Sequence, residues 1–289
     1  MSNIQSYQGA SMPYEAEINR TQPSCFLFLI DQSGSMEDSW ARESGKSKAD
    51  RLADILNGLL MNIVLTCTKE EGVRDYFDIG VIGYGSKVGP AFGGGLAGRE
   101  IVPLSDVANL PARIEERTKK VEDGAGGLVN QSVKFPVWFD PIASGGTPMC
   151  HAFTEAHKIL SRWIAQHPTS FPPIVFNITD GEATDGDPTD AANLVQNLTT
   201  NDGNVLLFNV HVSSTQAARI LFPDSETGLP DNFAKLLFRI SSPLPGYMRA
   251  FALQEGLPAS DGARGFVFNG EPVVVIQFLK IGTQPSNLR

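Results

Sequence analysis

Two short apolar runs, each closed by an aspartate, constrain this chain more than any other feature. Cys25 to Ile30 (CFLFLI) ends in Asp31, and Pro173 to Thr179 (PIVFNIT) ends in Asp180. Runs of that length without polar alternation read as strands covered on both faces, as in a parallel sheet. Phe77 to Tyr84 (FDIGVIGY) and Val205 to Val212 (VLLFNVHV) are two more of the kind, and FVF within 266–268 is a shorter one.

Helical periods separate these runs. Leu52, Ile55, Leu56, Leu59, Leu60, Ile63 and Val64 recur at three- and four-residue steps. Ala152, Phe153, Ala156, Ile159, Leu160 and Trp163 do the same between Pro148 and Gln166. Pro188 to Leu198 is a further helix, and shorter helical pieces are expected near 106–120, 215–222, 231–240 and 246–255. Ile101 to Leu104 suits a short edge strand. The apolar run after Glu271-Pro272 opens with a helix-start signal and is expected to be helical. Strands alternating with helices predict an α/β fold, Rossmann-like, with an open, mostly parallel sheet and helices on both faces.

In domain terms, residues 1–22 read as a polar N-terminal arm. Residues 23–289 read as one domain with insertions at 85–98 (glycine-rich) and 121–142, and a C-terminal helical extension. The 289 residues carry a net charge of −9 and are 42% hydrophobic, which suits a folded chain and disfavours nucleic acid as the main partner. No apolar run is long enough to span a bilayer, and the first residues lack the basic start and apolar core of a secretory signal. Cys25, Cys67 and Cys150 lie in apolar stretches and suit reduced, packed thiols, so a cytoplasmic protein is expected.

In sheets of this kind ligands bind at the carboxyl ends of the strands. Three segments offer oxygen there: Asp31-Gln32-Ser33-Gly34-Ser35 after one strand, Thr179-Asp180-Gly181-Glu182 after another, and Ser144-Gly145-Gly146-Thr147-Pro148 before a helix. Two carboxylates and three hydroxyls from separate loops make a hard oxygen cage. That chemistry suits Mg²⁺, with Mn²⁺ or Ca²⁺ as substitutes.

Asp31, Ser33 and Ser35 together resemble the Asp-x-Ser-x-Ser loop of von Willebrand factor A (vWA) domains. Thr147 is similar to that family's lone threonine and Asp180 to its distal aspartate, in the same order and on the same kinds of element. The set resembles a complete metal-ion-dependent adhesion site, and the likeness covers about residues 24 to 215 well. The stretch TDGEATDGDPTD resembles bacterial cytoplasmic members, among them the TerY-like proteins of tellurite resistance and stress response. The resemblance implies that Ser33, Ser35 and Thr147 ligate the metal directly. It places Asp31 at the edge of the shell, and has Asp180 binding directly in a closed state and through water in an open one. A partner's Asp or Glu would complete the coordination. The partners it implies are a kinase, a phosphatase or an AAA+ ATPase of the same operon, with no membrane or nucleic acid involved.

Each residue also has a plainer reading. Thr147 before Pro148 is a good helix N-cap. Asp187-Pro188-Thr189-Asp190 has the pattern of a helix start, which competes with a second metal site formed by Asp185, Asp187 and Asp190. His151 and His157 suit surface or packing, Cys67 and Cys150 core, and Trp40 either a partner contact or core. An acidic rim of Glu182, Asp185, Asp187 and Asp190, with Glu37 and Asp38, would attract metal yet repel an acidic partner, so basic residues nearby should offset it.

Enzyme classes find little support. Asp31-x-Ser33 lacks the second acid of a haloacid-dehalogenase-type phosphatase, and there is neither a phosphate-binding Gly-x-x-x-x-Gly-Lys-Ser/Thr loop nor a Gly-x-Ser-x-Gly elbow. A metal-dependent protein-binding module with no catalytic residues is the expectation. A metal-dependent hydrolase and a metal-independent scaffold stay open as alternatives.

Overall fold

The computed structural model describes residues 13–39, 45–122, 128–212 and 218–270, together with Gln277. Its centre is an eight-stranded sheet. In chain order these strands and the separate hairpin between them are β1 (Ser24–Asp31), β2 (Phe77–Tyr84), β3 (Val88–Pro90), β4 (Val102–Pro103), β5 (Arg113–Glu122), β6 (Leu128–Val137), β7 (Ile174–Thr179), β8 (Leu206–His211), β9 (Ile220–Leu221) and β10 (Phe266–Phe268). The helices are α1 (Lys48–Thr66), α2 (Leu104–Asn109), α3 (Met149–Gln166), α4 (Thr189–Gln196), α5 (Asn232–Arg239) and α6 (Gly246–Gln254).

The sheet runs β9-β10-β8-β7-β1-β2-β3, with β4 also paired to β2. The five inner strands are parallel, and β3, β4 and β9 are antiparallel edges. All eight residues of β1 are buried, as expected of a strand covered on both faces. Its side chains alternate between two cores. Phe26, Phe28 and Ile30 join α1 and α6, whereas Cys25, Leu27 and Leu29 join α3, α4 and α5. This is the open, mostly parallel α/β sheet flanked by helices that the pattern of apolar runs predicts.

The chain leaves β1 to build β2 on one side, then returns to build β7 and β8 on the other. The gap between the carboxyl ends of β1 and β7 is therefore a topological switch point, where a loop from each strand turns away and leaves a crevice.

A buried polar chain crosses this sheet. The Tyr84 hydroxyl donates to Asn177 Oδ1 (2.6 Å), Asn177 Nδ2 to Asn209 Oδ1 (2.9 Å), and Asn209 Nδ2 to Ser241 Oγ (2.9 Å). The Ser241 hydroxyl ends the chain on the Leu237 carbonyl in α5 (2.7 Å). Every member is satisfied, which is what makes polar groups tolerable in a core.

Several expectations need correction. The helix expected over 106–120 stops at Asn109, and Arg113–Glu122 forms instead a ten-pair antiparallel hairpin with β6. Pro111 accounts for the stop, because the residue before a proline is pushed out of the helical region; Leu110 has φ −128° and ψ 49°. The hairpin lies against α1: Arg117 pairs with Asp54 and its guanidinium stacks 3.7 Å over the Phe135 ring. The segment after it enters the core through Trp138 and Phe139, with the Trp138 amide donating to Asn57 Oδ1.

The glycine-rich stretch 85–98 is more than a loop, since it holds edge strand β3 and a buried Leu96. Where a helix was expected over 215–222, Ile220–Leu221 pairs with β10, and Phe222 (φ 47°) and Pro223 end that strand. Residues 213–217, Trp40 and the apolar run of 271–281, apart from Gln277, lie outside the described residues. Of the first 22 residues, Ile18 is buried and the Tyr14 amide donates to the Asp202 carbonyl (2.8 Å). Among the described residues no helix is long and apolar enough to cross a membrane.

Candidate metal centre

Three loops meet above the switch point, and their backbones are laced together. Gln32 donates to the Tyr84 carbonyl (2.7 Å), Ser144 to the Gln32 carbonyl (2.7 Å), Ser86 to the Ser144 carbonyl (2.8 Å) and Gly34 to the Gly145 carbonyl (2.9 Å). Such close approach requires glycine. Gly145 has φ +86°, and a Cβ there would sit 2.5 Å from the Ser86 amide nitrogen. The lacing fixes the loop after β1 against the loop before α3, so side chains far apart in sequence face one another.

Asp31, at the end of β1, is 1% exposed. Its Oδ1 accepts the Ser33 amide (2.8 Å) and its Oδ2 accepts the Thr179 hydroxyl (2.7 Å). Burial pushes its carboxyl up from the usual range, against those hydrogen bonds, which hold it down. The Ser33 and Ser35 hydroxyl oxygens are 3.1 Å apart, and the Ser35 hydroxyl donates to Asp180 Oδ1 (2.7 Å). The Thr147 and Ser35 hydroxyl oxygens both look onto Gly181, lying 3.7 and 3.9 Å from where a Cβ would be. The structure thus brings Asp31, Ser33, Ser35, Thr147 and Asp180 to one place.

The plainer readings divide. Thr147 does not cap α3, which starts at Met149 with no side-chain cap from Pro148. Asp185 does this work from the loop after β7, accepting the amides of Cys150 (3.1 Å) and His151 (2.9 Å). Asp187 accepts the Thr189 amide and hydroxyl at the start of α4. Among the described residues no group of three or more His, Cys, Asp or Glu side chains is placed to hold a metal, and Asp185 and Asp187 are engaged at helix starts. Cys67 is buried, but Cys150 is only half-buried and not core; burial and Asp185 push its thiol up to about 11. His151 is at the surface beside Glu155.

Three residues have roles that the sequence reading did not assign. Thr179 orients Asp31, and Thr184 receives the Thr147 amide on its Oγ1 (2.9 Å). Lys48 donates to Asp180 Oδ2 (2.7 Å) and to the Ser35 carbonyl (3.3 Å). Thr179 precedes Asp180 in the quoted segment, which was a usable signal. Lys48 gave none, because a lysine in a helix's first turn ordinarily faces water.

The donor set fits a small hard cation. Neighbouring ligands of an octahedral ion bound at 2.0–2.1 Å lie about 2.9 Å apart, and the Ser33–Ser35 and Ser35–Asp180 oxygen spacings of 3.1 and 2.7 Å bracket that value. A crevice of about 10 Å³ borders Asp31 between β1, α1 and Phe139–Ile142; Ser33, Ser35, Thr147 and Asp180 do not line it.

No family model and no curated protein matches this chain. Solved structures give partial matches at low identity. One is proximal thread matrix protein 1 of the mussel byssus (14% identity, TM-score 0.41, 78% of this chain and 42% of that one). Another is the vWF domain of the type V pilus tip protein Mfa5 from Porphyromonas gingivalis (15%, TM-score 0.30, 56% and 39%). A third is the pilus adhesin RrgA from Streptococcus pneumoniae (15%, TM-score 0.29, 58% and 22%). The chain spans less than half the length of each.

Proposed function

We propose that this chain is a metal-dependent protein-binding module of the vWA type. Ser33, Ser35 and Thr147 hold one divalent ion, Mg²⁺ with Mn²⁺ or Ca²⁺ as substitutes. Asp180 ligates directly or through water, and Asp31 orients the loop and supplies charge. The ion would act as a Lewis-acid anchor for a carboxylate from a partner's Asp or Glu. The observation that carries the reading is the run of oxygens Ser33–Ser35–Asp180 at ligand-like spacing above the switch point.

A binding role is favoured over hydrolysis because each Asp31 oxygen already accepts a hydrogen bond, which leaves that carboxylate poorly placed to act as a general base. The partner in this reading is a protein with an exposed acidic side chain. Resemblance to bacterial cytoplasmic members makes a kinase, phosphatase or AAA+ ATPase the first kind to try.

The test is calorimetric titration of metal-stripped protein with Mg²⁺ and Mn²⁺, with Asp31→Ala in parallel. One saturable site in the wild type, lost in the variant, is expected. No binding by the wild type would turn the reading into a metal-independent scaffold.

A further inference from the structure

The side chain of Lys48 is 4% exposed and that of Asp180 has no exposure, and the two form an ion pair at 2.7 Å. Lys48 is the first residue of α1, where Ser47 and Asp50 close a capping box. A positive charge in a helix's first turn opposes the helix dipole, so helix stability does not explain it. Burial of the ammonium carries a desolvation penalty that surface placement would avoid. What the position provides is contact with both candidate metal loops at once: Asp180 Oδ2 and the Ser35 carbonyl. Asp38 Oδ2, at 3.8 Å and largely exposed, is too far for a hydrogen bond.

We propose that Lys48 is a tethered counter-cation that makes metal retention weak by itself and dependent on an incoming carboxylate. This rests on the metal-binding reading above. With Asp31 and Asp180 ionised and Lys48 charged, the centre carries a formal charge of −1, and a bound dication turns it to +1. Without Lys48 the same ion would leave it neutral. The lysine therefore costs metal affinity and leaves a positive centre that attracts the carboxylate of an acidic partner, despite exposed Glu37, Asp38 and Glu182 nearby. A positive charge held at hydrogen-bond distance from a carboxylate repels a second cation that would share it, and repels a dication twice as strongly as a single charge.

The test measures Mn²⁺ affinity by calorimetry on the metal-stripped chain, with acetate as the carboxylate probe. Lys48→Met should bind Mn²⁺ at least about tenfold more tightly than the wild type. Acetate should tighten Mn²⁺ binding in the wild type and do so much less in the variant. Lys48→Arg keeps the charge and should bind weakly, like the wild type. Lys48→Gln drops the charge but keeps a donor for Asp180, and should bind tightly even if the methionine variant folds poorly. Equal Mn²⁺ affinity in wild type, Lys48→Gln and Lys48→Met overturns the role of Lys48 and leaves the metal site standing. Absence of Mn²⁺ binding in all four proteins sinks the metal reading, and this one with it.

Discussion

Gly85 follows β2 and lies under both candidate metal loops. A methyl group there would fall 2.5 Å from the Gln32 carbonyl oxygen and 2.6 Å from that of Ser144, where ordinary contact begins at 3.4 Å. Each oxygen already accepts a backbone hydrogen bond, from Ser144 and Ser86 respectively. Gly85→Ala must therefore push both carbonyls back by close to an ångström, which strains two bonds worth about 1 kcal/mol each. Overpacking adds about 1–3 kcal/mol. A total of about 3–5 kcal/mol should lower Tm by roughly 5–8 °C in a chain of this size. Thermal denaturation followed by circular dichroism in EDTA reads the effect without any contribution from bound metal. The control is Gly89→Ala, where a Cβ meets nothing within 4 Å and Tm should not fall. A Gly85→Ala protein melting within about 2 °C of the wild type would refute the idea that backbone contact at this glycine fixes the loops.

Asp185→Ala leaves two amides at the start of α3 uncapped and should cost about 0.5–2 kcal/mol, read as a fall in the urea midpoint; an unchanged midpoint would mean that water replaces the cap fully. His211 is buried against Phe268 and Phe233, and burial depresses its imidazole to about 4. The unfolded chain takes up this proton near pH 6.5 and the folded chain only near pH 4, so stability is lost as pH falls through that window, by up to about 3 kcal/mol. His211→Phe should flatten this part of the acid-stability profile, and parallel profiles for the two proteins would remove His211 as a cause.

Much of the fold was legible because buried parallel strands write themselves as unbroken apolar runs. CFLFLI, FDIGVIGY, PIVFNIT and VLLFNVHV became β1, β2, β7 and β8 within a residue or two. The β5–β6 hairpin was hidden because RIEERTKKVE shows little apolar alternation and is strand only by pairing with β6, which lies past residue 127. The candidate centre was legible where a loop directly follows a strand, as at Asp31 and Asp180. It was illegible where a side chain reaches it from another element. Lys48 arrives from the start of a helix, and Asp185 caps a helix that precedes it by 36 residues in sequence.

The polar chain from Tyr84 to Ser241 has a consequence for how the sheet assembles. Strand side chains alternate faces, so if β8 slid by one residue along β7 the amides of Asn177 and Asn209 would be on opposite sides. Asn177 would keep the Tyr84 hydroxyl but lose the acceptor for its Nδ2, and Asn209 would be turned away from both Asn177 and Ser241. Apolar contacts alone discriminate poorly among such shifts, since Leu, Val and Phe substitute for one another. The paired asparagines act as a key cut for one alignment: a chain that collapses out of step finds its interior amides unmatched, and has reason to open and try again before the hydroxyls at the rim are ever brought together.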